Sequence, residues 1–164
     1  MKRKVLMMIF SVLLIASMLL APMDALAASR KTVQILKVTV EGARVRKGPS
    51  SSYEVITSLD RGSKVIYAGK EKESFCYIYT DRGVKGYVYR GFLKSYGAAY
   101  KDQVYYAKIK AKVYKKASTH SKRKTTLSKK QRVIVYQVKG KWAYIKTLGG
   151  TGGYVKKSAL KKAF

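Results

Sequence analysis

Reactive side chains are scarce in this sequence. Its 164 residues hold one cysteine, one histidine and eight acids. A single thiol, Cys76, excludes a disulfide framework within the chain. His120 lies in "STHSKRK", crowded by lysines whose charge opposes metal capture, and reads as a solvated loop residue. Cys76 lies in "FCYIYT", where period-two alternation puts it on the face of Ile78, so it reads as a buried structural thiol. There is no metal-ligand spacing and no phosphate-cradling glycine loop. Beyond the N-terminal segment, no ten-residue stretch shows a helical period. These absences point to an all-β protein without a catalytic centre, metal or cofactor.

What the chain has in excess is positive charge. Thirty-six lysines and arginines against eight acids give +28, an argument about polyanionic partners rather than about fold. The excess is lopsided. Residues 38–95 carry eleven basic and six acidic side chains, or +5, whereas residues 104–162 carry eighteen basic side chains and no acid, or +18. Lysine predominates, which suits point-charge contact with phosphates more than bidentate recognition.

Residues 1–27 read as a secretory signal. Lys2, Arg3 and Lys4 form a positive start, residues 5–21 are almost wholly apolar, and "ALA" at 25–27 supplies the small residues of a cleavage site. The apolar run is a little short of the about 20 residues that span a membrane. The alternative is an uncleaved anchor. Either way the working protein is expected outside the cytoplasmic membrane.

The remainder repeats itself. Moved by 68 residues, Val45 falls on Val113, Leu59 on Leu127, Val65 on Val133 and Ile66 on Ile134. Moved by 67, Phe75 falls on Trp142, Tyr77 on Tyr144, Ile78 on Ile145, Gly86-Tyr87-Val88 on Gly153-Tyr154-Val155 and Leu93 on Leu160. The one-residue change falls between Tyr67 and Phe75, where a turn is expected. Domain one is assigned to residues 37–95, a linker to 96–103 and domain two to 104–162. Both read as strands by alternation and β-branched content, with "SFCYIYT" and "KGYVYR" joined across "DRGVK", and "KWAYIKT" and "GGYVKK" across "LGGTG". The expected fold is all-β, two small, strongly bent barrels. Barrels of this size offer no long cleft for a pair of catalytic carboxylates.

"ARVRKGPSSSYEVITSLDRGSKV" at 43–65, with "GYVYRGFL" at 86–93, resembles the bacterial SH3 (SH3b) family. Domain two departs from the pattern. Lys115-Lys116-Ala117-Ser118 stands for Arg46-Lys47-Gly48-Pro49, and Lys130 for Gly62, while its "GGYVKKSAL" ending matches well. The resemblance implies tandem SH3-like barrels, non-catalytic modules that often target exported proteins to the bacterial cell wall.

Candidate ligand-binding residues are therefore Arg46, Tyr53, Phe75, Tyr77, Tyr87, Trp142, Tyr144 and Tyr154. In the hairpins the rings are out of phase with the core, where they can stack on sugar rings or peptide planes with their polar tips wet. Ordinary cross-strand pairing is the plain alternative. Tyr53 lies in a loop, where it walls a groove or plugs a barrel end. Candidate polyanion-binding residues are Lys115, Lys116, Lys122, Arg123, Lys124, Lys129, Lys130 and Arg132. The expected partners are peptidoglycan and an anionic wall polymer such as teichoic acid. The alternatives are anionic lipid headgroups at a membrane surface, nucleic acid, which the signal segment argues against, or a wall enzyme for which the chain is a targeting subunit.

Overall fold

The computed structural model describes residues 30–164; the segment read as a signal lies outside the described residues. Among these residues there is no α-helix, only strands and three short 3₁₀ turns. The first barrel contains β1 (Thr32–Val38), β2 (Ala43–Arg46), β3 (Val55–Leu59), β4 (Lys64–Lys72), β5 (Phe75–Thr80), β6 (Lys85–Tyr89) and β7 (Leu93–Tyr100). The second contains β8 (Val104–Ala107), β9 (Ala111–Tyr114), β10 (Arg123–Leu127), β11 (Arg132–Lys139), β12 (Trp142–Thr147), β13 (Gly152–Lys156) and β14 (Leu160–Lys162). The strand orders are β3-β2-β6-β5-β4-β1-β7 and β10-β9-β13-β12-β11-β8-β14, the same arrangement used twice.

Period-two alternation decides which side chains go inside. In β5 the inward set is Cys76, Ile78 and Thr80; in β12 it is Ala143 and Ile145. Each barrel closes on its own core, Leu36, Val45, Val65, Ile78 and Val88 in the first, and Val113, Leu127, Val133, Ile145 and Val155 in the second. Full burial of such side chains stabilises by about 1.5–3 kcal/mol each. The repeated Gly-Tyr-Val follows from the crossing of β6 over β2 and of β13 over β9. A Cβ at Gly86 would stand 2.6 Å from the Arg46 carbonyl oxygen, and one at Gly153 2.7 Å from that of Tyr114.

The one-residue difference between the repeats lies inside a strand, not in a turn. Tyr67 pairs with Ile78 and Glu71 with Cys76, so four steps on β4 face two on β5. Val135 pairs with Ile145 and Val138 with Ala143, so three steps face two. A bulge absorbs an inserted residue because it is already outside the ladder.

The segment expected to link the barrels is itself ordered structure. Residues 97–100 continue β7 and pair with 32–35 of β1, which begins five residues before the expected boundary at 37. Lys101–Gln103 then forms a 3₁₀ turn into β8. A third apolar cluster joins the barrels: Val33, Ile66 and Ala99 meet Val104, Ile134 and Leu148, all buried. The turn of the β5–β6 hairpin docks on the turn before β11, so closely that a Cβ at Gly83 would stand 2.6 Å from the Lys130 carbonyl oxygen. A hydrogen bond crosses here, from the Arg132 amide to the Asp81 carbonyl at 2.7 Å.

Candidate functional site

On the outer face of barrel two, register lines up three side chains across three strands. Lys139 of β11 is opposite Trp142 of β12, and Trp142 is opposite Lys156 of β13. Directly opposed residues share a sheet face, so Trp142 has a lysine beside it on each neighbouring strand. The next row is Gln137, Tyr144, Tyr154 and Tyr114. Tyr144 and Tyr154 meet with ring centroids 5.1 Å apart, and Tyr114 and Trp142 meet edge to face at 5.8 Å and 88°. Trp142, Tyr144 and Tyr154, with Lys115, Lys116 and Lys139, line a groove of about 510 Å³. On its other side Trp142 borders a second groove, of about 710 Å³, with Lys108, Lys141, Lys156 and Lys157. No acid lines either groove.

Barrel one presents the same rows with different chemistry. Lys72, Phe75 and Tyr89 are aligned, as are Tyr77, Tyr87 and Arg46. Phe75 and Tyr89 meet at 5.7 Å, Tyr77 and Tyr87 at 4.9 Å, and Tyr89 and Phe92 at 5.2 Å. A groove of about 590 Å³ runs beside Phe75, Tyr89 and Phe92 toward Arg44, Arg46 and Glu41. Tyr77 and Tyr87 pair beside this groove without lining it. Arg46 also fixes the loop above the groove, because its Nη1 donates to the Tyr53 carbonyl at 2.7 Å. The Tyr53 ring covers Gly48, where a Cβ would stand 2.4 Å from it. That ring is 49% exposed, so it does not plug the barrel, and it is not among the groove's lining residues.

The polyanion set of the sequence divides in three. Lys115 and Lys116 line the tyrosine groove. Lys122, Arg123 and Lys124 are exposed on and beside β10, where the Lys115 amide donates to the Lys122 carbonyl at 2.9 Å and closes the loop carrying His120. Lys129, Lys130 and Arg132 lie at the other end, by the junction of the barrels. Lys129 and Lys130 are exposed, but Arg132 is not a free cation. Its guanidinium carbon stands 4.1 Å from the centroid of the Tyr79 ring of barrel one, and its Nε is buried without a hydrogen-bond partner. Burial lowers its basicity. Arg132 is thus a junction residue, and the same cover takes Tyr79 away from the aromatic face, with Phe164 5.9 Å from its ring.

Register also corrects the comparison of the repeats. Tyr114 of β9, not Lys115, holds the place of Arg46, since Arg46 is opposite Tyr87 and Tyr114 is opposite Tyr154. The 68-residue shift contains this match. The lysines beside Trp142 were missed because they are dispersed along the chain; the cross-strand pairing of the "KWAYIKT" and "GGYVKK" hairpin would have joined Trp142 to Lys156.

Neither Cys76 nor His120 lines these grooves. Cys76 is buried, with its Sγ 3.8 Å from Glu71 Oε2. Burial, and then the Glu71 carboxylate, push its thiol up to about 11, with Arg90 opposing. His120 is exposed on its loop. Among the described residues no three His, Cys, Asp or Glu side chains converge as metal ligands.

Among solved structures the chain is similar to NlpC2 from Trichomonas vaginalis, at 16% identity over 81% of this chain and 49% of that one, with a TM-score of 0.34. NlpC1 from the same organism gives 17% identity, 81% and 47% coverage and the same TM-score of 0.34. An NlpC/P60 family protein from Bacillus cereus ATCC 10987 gives 12% identity, 78% and 56% coverage and a TM-score of 0.34. The chain spans about half the length of these structures. No curated protein matches it. The bacterial SH3 domain model matches twice, over residues 41–94 and 110–161, one match to each barrel and together more than half of the sequence. The chain belongs to the bacterial SH3 domain family, as a tandem pair.

Proposed function

We propose that this chain is a non-catalytic binding protein of the bacterial cell envelope, working outside the cytoplasmic membrane. Barrel two holds anionic wall polymer, teichoic acid being the abundant candidate. Barrel one offers its Phe75–Tyr89–Phe92 groove, with Arg44 and Arg46, to peptidoglycan peptide or glycan. The observation that carries the reading is the Lys139–Trp142–Lys156 row, an apolar ring for a sugar or polyol backbone with a cation on each side for phosphate. Two weak sites on one chain bind a polymeric surface with useful avidity when both engage at once.

The non-catalytic part rests on the buried, protonated Cys76 and the solvated His120. Purified protein should release no peptidoglycan fragments, with or without zinc; sustained release would overturn this part. For binding, the chain lacking residues 1–27 is mixed with purified wall, intact or stripped of teichoic acid, at low and raised salt. Most of the bound protein should be lost on stripping and, separately, on raising salt, since screening acts mainly on exposed charges. Undiminished binding to stripped wall at high salt would remove the polyanion reading, and a preference for single-stranded nucleic acid over wall polymer would replace it.

A further inference from the structure

The groove of about 710 Å³ lined by Lys108, Lys141, Lys156 and Lys157 is not one to which sequence reasoning assigned any role. It shares Trp142 with the tyrosine groove on the other side. We infer that the two grooves form one continuous track for a linear phosphodiester or polyphosphate chain, with Trp142 as its midpoint. This rests on the polyanion reading of barrel two and adds the path, the length requirement and a second set of cations.

Four features support a track over two separate sites. The grooves meet at one side chain, so a ligand leaving one enters the other without crossing unrelated surface. Lys139 and Lys156 flank Trp142 on adjacent strands, which puts their backbones about 10 Å apart at two interstrand spacings. A chain with a charge at every unit can engage both and run on into both grooves, which a single small anion cannot. Both walls are cationic and free of acids, so nothing along the path repels an anion. The indole supplies a flat apolar support where the chain passes between cations.

The chain has one tryptophan, at the midpoint, so its fluorescence reports binding directly. Tripolyphosphate and polyphosphate of several tens of units serve as probes, at matched phosphate concentration and low salt. Long polyphosphate should bind at least tenfold more tightly per chain end than tripolyphosphate. Its affinity should fall by about 10²–10³-fold from 50 to 200 mM salt, as expected for five to seven phosphate contacts. The double substitution Lys141→Gln with Lys157→Gln should weaken the long chain about tenfold, and so should Lys115→Gln with Lys116→Gln. The pair Lys161→Gln with Lys162→Gln removes the same charge from the same barrel outside both grooves and should cost less than threefold. Denaturation midpoints show that the surface variants stay folded. If both polyphosphates bind without a length effect, or if only one groove pair matters to the long chain, the track is wrong while polyanion binding stands. Equal losses from the Lys161/Lys162 pair would reduce the site to diffuse charge and also overturn it. If no polyphosphate and no wall polymer binds, the underlying reading fails with it.

Discussion

Phe75 and Trp142 hold the same place in two copies of one barrel, and their neighbours have diverged. The row in barrel one is Lys72–Phe75–Tyr89, and in barrel two it is Lys139–Trp142–Lys156. Tyr79 corresponds to Lys146 and Arg90 to Lys157 at the same 67-residue shift. The inward positions changed far less: Ile78 and Ile145, Val88 and Val155, and Leu93 and Leu160 are identical and buried in both. A strand separates the two duties because alternate side chains face opposite ways. The core face must fill one shape, while the outer face is free to exchange rings for cations. One scaffold thus presents an aromatic face with two arginines at its edge in one copy, and a tryptophan among lysines in the other.

The strongest challenge to this comparison is to the shared scaffold. Gly86→Ala and Gly153→Ala each put a methyl group within 2.7 Å of a backbone carbonyl oxygen and a core valine. Each should destabilise its barrel by about 1–3 kcal/mol, the cost of overpacking a closed site. Chemical denaturation measures this, and the two losses should be alike. A cost at one glycine only would mean that the barrels close differently.

Exchanging the outer faces tests the chemistry. Trp142→Phe with Lys156→Tyr gives barrel two the row of barrel one, and should lower affinity for anionic wall polymer about tenfold with a shallower salt dependence. Trp142→Ala alone should weaken binding while costing less than the about 3–5 kcal/mol of a core tryptophan, because the ring is only half-buried. Large destabilisation without a binding loss would make Trp142 a structural residue. The exchange must be made in the whole chain, since separating the barrels would expose Ile134, Leu148 and Val104 of the shared cluster.

How far the sequence disclosed this arrangement follows from the range of the forces involved. Alternation and repetition are local, so the strands, the inward placement of Cys76 and the outward placement of Trp142 and Tyr144 could be read directly. The junction depends on where the turn of residues 81–84 meets the turn of residues 128–131, which no local pattern encodes. Arg132 accordingly looked like one more cation of a basic run, and the segment 96–103 like a tether. The lysines that surround Trp142 come from residues 108, 139, 141, 156 and 157, and only strand pairing brings them together. The density of charge along the chain pointed instead to the cations of residues 115–132, of which only Lys115 and Lys116 line a groove beside Trp142.

Cys76 and its counterpart Ala143 distinguish the cores by pH. The thiol titrates ordinarily at 9.0 and in the folded chain at about 11, chiefly through burial. Its folded value is raised, so its contribution is fully present below pH 9 and is lost as pH rises toward 11, where the unfolded chain gives up a proton that the folded chain retains. Cys76→Ala copies barrel two at this position and should remove that part of the alkaline decline. Tyr67, whose phenol is raised by burial and then by the Cys76 charge, shares in the change. Parallel stability curves from pH 8 to 11 would show that the thiol is not insulated.

The smallest expected effect concerns a position where barrel two departs from the family pattern without a visible benefit. Lys130 has φ 68°, and its counterpart Gly62 has φ 91°. A side chain in this left-handed region costs on the order of 1 kcal/mol, from which a glycine is exempt. Lys130→Gly should therefore stabilise the protein, but by less than that. The Lys130 Cβ lies against Gly83 at the junction and would be lost, and glycine has more freedom to lose on folding. A gain of about 0.5 kcal/mol in denaturation is expected. Wall-polymer binding should be nearly unchanged, because Lys130 lines neither groove beside Trp142. A loss of binding comparable to that of the Lys115 and Lys116 variants would return the basic run to the site, and would mean that contact with the polymer extends past the grooves toward the junction of the barrels.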